Sequence, residues 1–381
     1  MADHTHIEWT DATWNPVTGC REVSPGCKNC YAKRDWQRLS APRAVPNAYT
    51  GREFHDVQFH PERLHQPSQW KKPRRIFVNS MSDLFHEDVA DQQIEAVFAE
   101  MQANERHTFQ ALTKRIVRAK AWLDRVKPSP VDGILTLDGA PPRHHGGVAV
   151  AFMAASWPLR NVWLGITVVN QAEADRDIPV LLATPARVRF LSVEPMLGPV
   201  DLQRACLGAC RNGATCYADE GRRWIVDSTE GGLHVECICS RLNGLHWVIA
   251  GGESGPHARP SHPDWFRSLR DQCAAAGVPF LFKQWGEWLP IDQQDEAFTD
   301  RLYRSNRKAA PHEDQAAVDD TCGRTCSVPY GVIHHDGSFH EPLEPMAFLQ
   351  GTGAMTTFKV GKKPAGRLLD GALHDAYPEV R

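Results

Sequence analysis

Short apolar runs recur along the chain; each ends in a polar cluster, and helical stretches lie between them. Seven of these runs read as strands: Thr13 to Thr18, Arg75 to Asn79, Thr108 to Leu112, Val162 to Thr167, Val188 to Val193, Trp247 to Ala250 and Pro279 to Phe282. Between them, Ile94, Val97, Phe98 and Met101 share one helical face, as do Trp265, Phe266, Leu269 and Cys273. The latter helix has legible ends. Pro263 suits a first turn, and Gly277 follows the last apolar position, where a left-handed cap is usual. This strand-then-helix repeat predicts an α/β chain, a partial or full (β/α) TIM-like barrel of about six to eight parallel strands.

Barrel enzymes draw their sites from the C-terminal ends of the strands, and here those ends are polar. In chain order they read Asn79-Ser80-Met81-Ser82-Asp83, Thr113-Lys114-Arg115, Thr167 with Asn170, Glu194-Pro195, Gly251-Gly252-Glu253-Ser254-Gly255 and Lys283-Gln284-Trp285. Any one of them is more simply a capped turn; together they predict one shared active face. Lys114, Arg115 and Lys283 have two uses there. They can neutralise Glu194 and Glu253 in an ion-pair network, or grip a carboxylate or phosphate of a substrate.

Three cysteines, Cys20, Cys27 and Cys30, follow the first strand as C-x6-C-x2-C, with no fourth cysteine or histidine at zinc-finger spacing. Three thiolates suggest a metal site left open on one side. A closed zinc site wants four ligands, whereas a cubane iron–sulfur cluster on three cysteines keeps one iron free. The Ser24-Pro25-Gly26 turn can bend the loop so that several sulfurs aim at one point. Reduced, partly buried thiols are the plain alternative. A second group, Cys206, Cys210, Cys216, Cys237 and Cys239, falls in an insertion at about 201–245 and could hold zinc or another cluster, or stay as thiols. The other insertion, about 128–158, carries four prolines and His144-His145 and reads as an irregular surface excursion.

The remaining composition sets limits. A chain of 381 residues with no apolar run long enough to span a bilayer is expected to be soluble, without membrane partners. The N-terminus lacks the basic start and apolar stretch of a secretory signal, so the eleven cysteines point to a reducing cytoplasm. A net charge of −3 gives no global attraction to nucleic acid. The barrel is expected over 1–290. Residues 291–381 read as a C-terminal extension that covers or closes it, with an Asp336-Gly337 hairpin and, near the end, a gathering of Lys359, Lys362, Lys363 and Arg367.

Four stretches carry a resemblance to a known family: Ile7 to Cys20, Gly26 to Ala32, Gly251 to Gly255 and Phe282 to Gly286, with a further match at Val360 to Gly371. They resemble the phage-associated three-cysteine-motif proteins, whose cysteine loop and barrel are in turn similar to radical S-adenosylmethionine enzymes. Those enzymes space their cysteines as C-x3-C-x2-C, so the first gap here is longer. The resemblance implies a [4Fe-4S] cluster on Cys20, Cys27 and Cys30, S-adenosylmethionine on its free iron, and reductive cleavage that starts radical chemistry on a substrate, with nucleic acid or a nucleotide in view. It also implies a one-electron donor such as a flavodoxin or ferredoxin, and admits a phage or bacterial partner protein. Under it Asn79, Ser80, Asp83, Thr167, Gly251, Gly252, Glu253 and Ser254 become cofactor candidates, the glycines admitting close approach and Glu253 accepting from an ammonium or ribose hydroxyl. Lys114, Arg115, Glu194, Lys283 and Gln284 become catalytic candidates. The alternative is a non-enzymatic, cysteine-rich metal-binding module that holds nucleic acid or a partner protein. A zinc hydrolase is a third reading, with no Glu or His base in an obvious motif beside the thiols.

Overall fold

The computed structural model describes residue 5 and residues 7–128, 135–138, 157–206 and 244–379, with short strands at 143–145, 148–150, 216–219, 222–226 and 234–236. Its centre is one parallel sheet of seven strands: β1 (Ala12–Trp14), β2 (Arg75–Val78), β3 (Thr108–Thr113), β4 (Val162–Thr167), β5 (Val188–Val193), β6 (Trp247–Gly251) and β7 (Phe280–Gln284). The strands lie side by side in chain order. Crossovers between parallel strands are right-handed, so an order that never reverses sends every helix to the same face. The packing shows it. Buried residues of α2 (Asp91–Ala103), α3 (Ile116–Leu123), α4 (Gln171–Leu182) and α5 (Pro263–Ala276) share one large core with Ile76, Val78, Ile166, Leu191, Val248 and Phe282 of the strands. The other sheet face carries a separate cluster, Trp9, Phe77, Trp163, Val188, Phe190, Trp247, Ile249 and Leu281, with no helical residue in it.

That second cluster requires a curled sheet. Trp9 stacks 4.7 Å from Phe77 on β2 and 6.4 Å from Trp247 on β6. On a flat sheet those strands would stand roughly 19 Å apart, at about 4.8 Å per strand. Mixed α/β architecture with the sheet rolled into a half-barrel, helices outside and aromatic rings inside, satisfies both contacts. The sequence placed all seven strands; the first needs correction. Thr13 to Thr18 is not one strand: β1 stops at Trp14, and Val17–Thr18 pairs instead with Gln58–Phe59. Pro16 explains the break, since it has no N–H for the ladder.

α5 has the ends read from sequence: Pro263 in the first turn and Gly277 as a left-handed cap at φ +66°. Beyond β7, a four-stranded antiparallel sheet of β8 (Trp288–Pro290), β9 (Tyr330–Ile333), β10 (Phe339–His340) and β11 (Met355–Lys359) forms in the order 8-11-9-10. The chain then returns along the free edge of β7, where Phe282 N donates to His374 O at 2.9 Å. Among the described residues no helix is long and apolar enough to cross a membrane.

Candidate functional site

The cysteine loop leaves the sheet at β1 and is fixed at both ends by backbone. Gly19 N donates to Met81 O at 3.1 Å and Cys20 N to Phe54 O at 2.9 Å. Gly19 sits at φ +91°, with the Asp56 carbonyl oxygen 2.3 Å from where a Cβ would be, so no other residue fits that turn. The Ser24 side chain then accepts from Gly26 N at 3.1 Å, starting a short turn over Pro25–Cys27, and its hydroxyl donates to Glu173 on α4 at 2.7 Å. Cys30 precedes α1 (Tyr31–Ser40), whose Tyr31 hydroxyl donates to Ser80 O at 2.7 Å.

A cavity of about 520 Å³ opens beside this loop, over the C-terminal ends of the strands. Cys20, Cys27 and Cys30 all line it, as do residues following every strand of the sheet. Of the strand-end candidates, Asn79, Ser80, Asp83, Lys114, Arg115, Thr167, Glu194, Gly252, Glu253, Ser254, Lys283 and Gln284 reach its wall; Gly251 does not. What approaches Gly252 is the protein itself: a Cβ there would lie 1.9 Å from the Trp285 carbonyl oxygen. The glycine pair lets the loops after β6 and β7 run in contact, which Gly252 N seals by donating to Gln284 O at 2.9 Å.

The charged candidates sort into three assemblies. Arg115 spans the gap between strand ends and cysteine loop: Nη1 lies 3.2 Å from Asp83 and 3.8 Å from the Cys20 sulfur, Nε lies 2.9 Å from Glu87, and Nη2 donates to Arg21 O at 3.2 Å. Burial pushes the Cys20 thiol up to about 11, and Asp83 adds to the rise while Arg115 opposes it. Glu194 accepts from Lys283 and Gln284, both at 3.0 Å. Glu253 is gripped by Arg259 Nε at 2.8 Å, Nη2 at 2.6 Å and the Arg259 amide at 2.8 Å, and by Asn29 Nδ2 at 2.9 Å. Burial alone would raise the Glu253 pKa, but the bonds from Arg259 and Asn29 outweigh it and hold the carboxyl below its usual range.

A family model described as a protein of unknown function, DUF5131, matches residues 4–378. The chain belongs to the DUF5131 family. No curated protein and no solved structure matches it. The family span takes in the cysteine loop, all seven strands and the returning tail of this DUF5131 chain.

Whether the three thiols suit a metal turns on their spread. Among the described residues no three His, Cys, Asp or Glu side chains converge closely enough to hold a metal ion. Tetrahedral zinc at 2.3 Å per sulfur would bring its thiolates within about 3.8 Å of one another. A cubane cluster gives each cysteine its own iron and takes a wider triangle of sulfurs. Three thiols on one cavity wall, with no nitrogen or carboxylate ligand among them, therefore fit a cluster better than a single ion. Of the second cysteine group, Cys210, Cys237 and Cys239 lie outside the described residues; Cys206 ends the helix Leu202–Cys206 and Cys216 opens the strand Cys216–Asp219.

Sequence reasoning missed several site residues of this DUF5131 chain. Asn29 and Arg259, which hold Glu253, gave no signal, because one partner is 224 residues away. Ser192 lines the cavity two residues beyond Phe190 on β5, and a period of two along that strand would have found it. Trp9 also lines it, from a segment outside any strand.

Proposed function

We propose that this DUF5131 protein is a radical S-adenosylmethionine-like iron–sulfur enzyme on a partial TIM-like barrel, reduced by a one-electron donor such as a flavodoxin or ferredoxin. The observation that carries the reading is the meeting of three thiols from one loop with the C-terminal ends of seven parallel strands around one cavity. Cys20, Cys27 and Cys30 would hold a [4Fe-4S] cluster. When bound, that cluster would supply the electron that cleaves the carbon–sulfur bond of S-adenosylmethionine and starts radical chemistry on a substrate.

The chain's own groups have definable tasks. Arg115 places a fixed positive charge against the Cys20 sulfur, favouring its thiolate form. Glu253, through Asn29, anchors the stretch between Cys27 and Cys30 to the end of β6. Glu194, poised between Lys283 and Gln284, is the carboxylate free to orient a donor group of a ligand. The ring cluster beneath excludes water from the reacting end.

The test is iron, acid-labile sulfide and the visible spectrum of anaerobically purified protein, beside a variant carrying Cys20→Ala, Cys27→Ala and Cys30→Ala. About four irons per chain, lost in the variant, is the expected result. Zinc in place of iron, or iron indifferent to the triple change, overturns the reading.

A further inference from the structure

The cavity has features that the three thiols leave unused. Its lining includes Trp9 and Phe77, the top of the aromatic cluster inside the half-barrel. Trp9 Nε1, Asn79 Nδ2 and Gln284 Oε1 are buried without a hydrogen-bond partner, and all three side chains line the same cavity. Their orientation is fixed by what they already do. Asn79 Oδ1 accepts from Val17 N at 3.3 Å, which leaves its amide hydrogens free; Gln284 Nε2 donates to Glu194 at 3.0 Å, which leaves its carbonyl free. Two donors and one acceptor thus stand unsatisfied beside flat rings, although buried polar groups are as a rule paired.

Lys114 and Lys362 add charge to this wall. Lys283 is neutralised by Glu194, Arg21 by Asp88 and Arg115 by Asp83 and Glu87. Lys114 and Lys362 have no side-chain partner among the described residues, and Lys362 arrives from the distant C-terminal segment. Ammonium groups on mobile stems suit phosphate, which takes point charges without the fork geometry of arginine.

We propose that the cavity binds a nucleotide, its base against Trp9 and the free amide atoms of Asn79 and Gln284, its phosphate between Lys114 and Lys362. A purely apolar ligand would leave the three polar atoms unsatisfied, and a small anion would leave the ring floor uncovered. A phosphorylated heteroaromatic base answers both. The inference names the substrate class for the reading above and so rests on it, but nucleotide binding requires no cluster.

The test is isothermal titration of the full chain with AMP, GMP, CMP and UMP, with the four nucleosides, and with inorganic phosphate. At least one nucleotide should bind more tightly than its nucleoside and than phosphate. Lys114→Gln and Lys362→Gln should each weaken that nucleotide about ten-fold or more, as loss of a charge-assisted bond does, while leaving nucleoside affinity unchanged. Gln284→Leu should weaken nucleotide and nucleoside alike. Circular dichroism of each variant separates lost binding from lost folding. Nucleotides that bind no better than phosphate, or folded lysine variants that bind like the parent, overturn the proposal. Iron content measured on the same samples tells the two readings apart: nucleotide binding without iron defeats only the cluster, and iron without nucleotide binding defeats only this inference.

Discussion

Glu253 accepts four hydrogen bonds, one from Asn29 and three from Arg259. A carboxylate offers about four lone-pair sites, so none remains for a cofactor ammonium or ribose. Its task is to latch the cysteine loop to the end of β6, and its removal should show first in the loop. Glu253→Gln leaves the Arg259 charge half-satisfied and should cost about 2–3 kcal/mol, less than a fully buried broken pair because Arg259 is partly exposed. The pH dependence follows from the lowered pKa. A carboxyl whose folded pKa is depressed stabilises fully above its unfolded value, near 4.5, and loses that stabilisation as pH falls through the folded value. Urea unfolding of parent and Glu253→Gln from pH 7 down to pH 3 should therefore converge toward acid. A gap that stays constant with pH would show that the carboxylate charge is not what holds the loop.

At the scale of elements, the half-barrel depends on large rings meeting across adjacent strands where one strand gives way. Gly165 on β4 lies directly opposite Phe190 on β5, and a Cβ at Gly165 would fall 2.3 Å from the Phe190 ring. Gly165→Ala should cost about 2–3 kcal/mol through overpacking, and Phe190→Leu in the same chain should recover much of that loss. Simple additivity of the two changes in chemical denaturation would mean that the ring is not the obstacle. Such pairings mark the limit of what the sequence disclosed. The seven strands were legible because each is an apolar run cut off by polar or glycine residues, and α5 because proline and glycine mark its ends. The break after Trp14 was hidden because Val17–Thr18 finds its partner about forty residues on, at Gln58–Phe59. The cysteine loop was legible by residue type alone. The latch formed by Asn29, Arg259 and Glu253 was not, because two of its three members carry no distinctive spacing and meet only once the sheet curls.

An open half-barrel has a problem that a closed barrel lacks: its last strand has an unpaired edge, and the inner face at the N-terminal ends of the strands stands open. The end of the chain answers both. Residues 374–376 run antiparallel to β7, with Phe282 N donating to His374 O at 2.9 Å and Ala376 N to Phe280 O at 3.3 Å. Tyr377 then crosses the opening. Its ring lies 5.1 Å from Trp247 on β6, the Arg75 guanidinium stands 4.4 Å over it at the start of β2, and its hydroxyl donates to Glu8 O at 2.9 Å. One side chain thus joins strands four apart, at the end of the sheet opposite the cysteines. Tyr377→Ala should lower stability by about 2 kcal/mol, the sum of a ring contact and a cation–ring contact in a half-buried setting, while nucleotide affinity stays as it was. Ending the chain before residue 370 should do more, because it also strips the β7 edge, and the product should self-associate in sedimentation at concentrations where the parent does not. If the shortened chain keeps the parent's urea midpoint and sediments as the parent does, the half-barrel is held by its helices alone. A lowered midpoint with an intact cavity would place the closure of the fold and the chemistry of the site at opposite ends of one sheet, each open to change without the other.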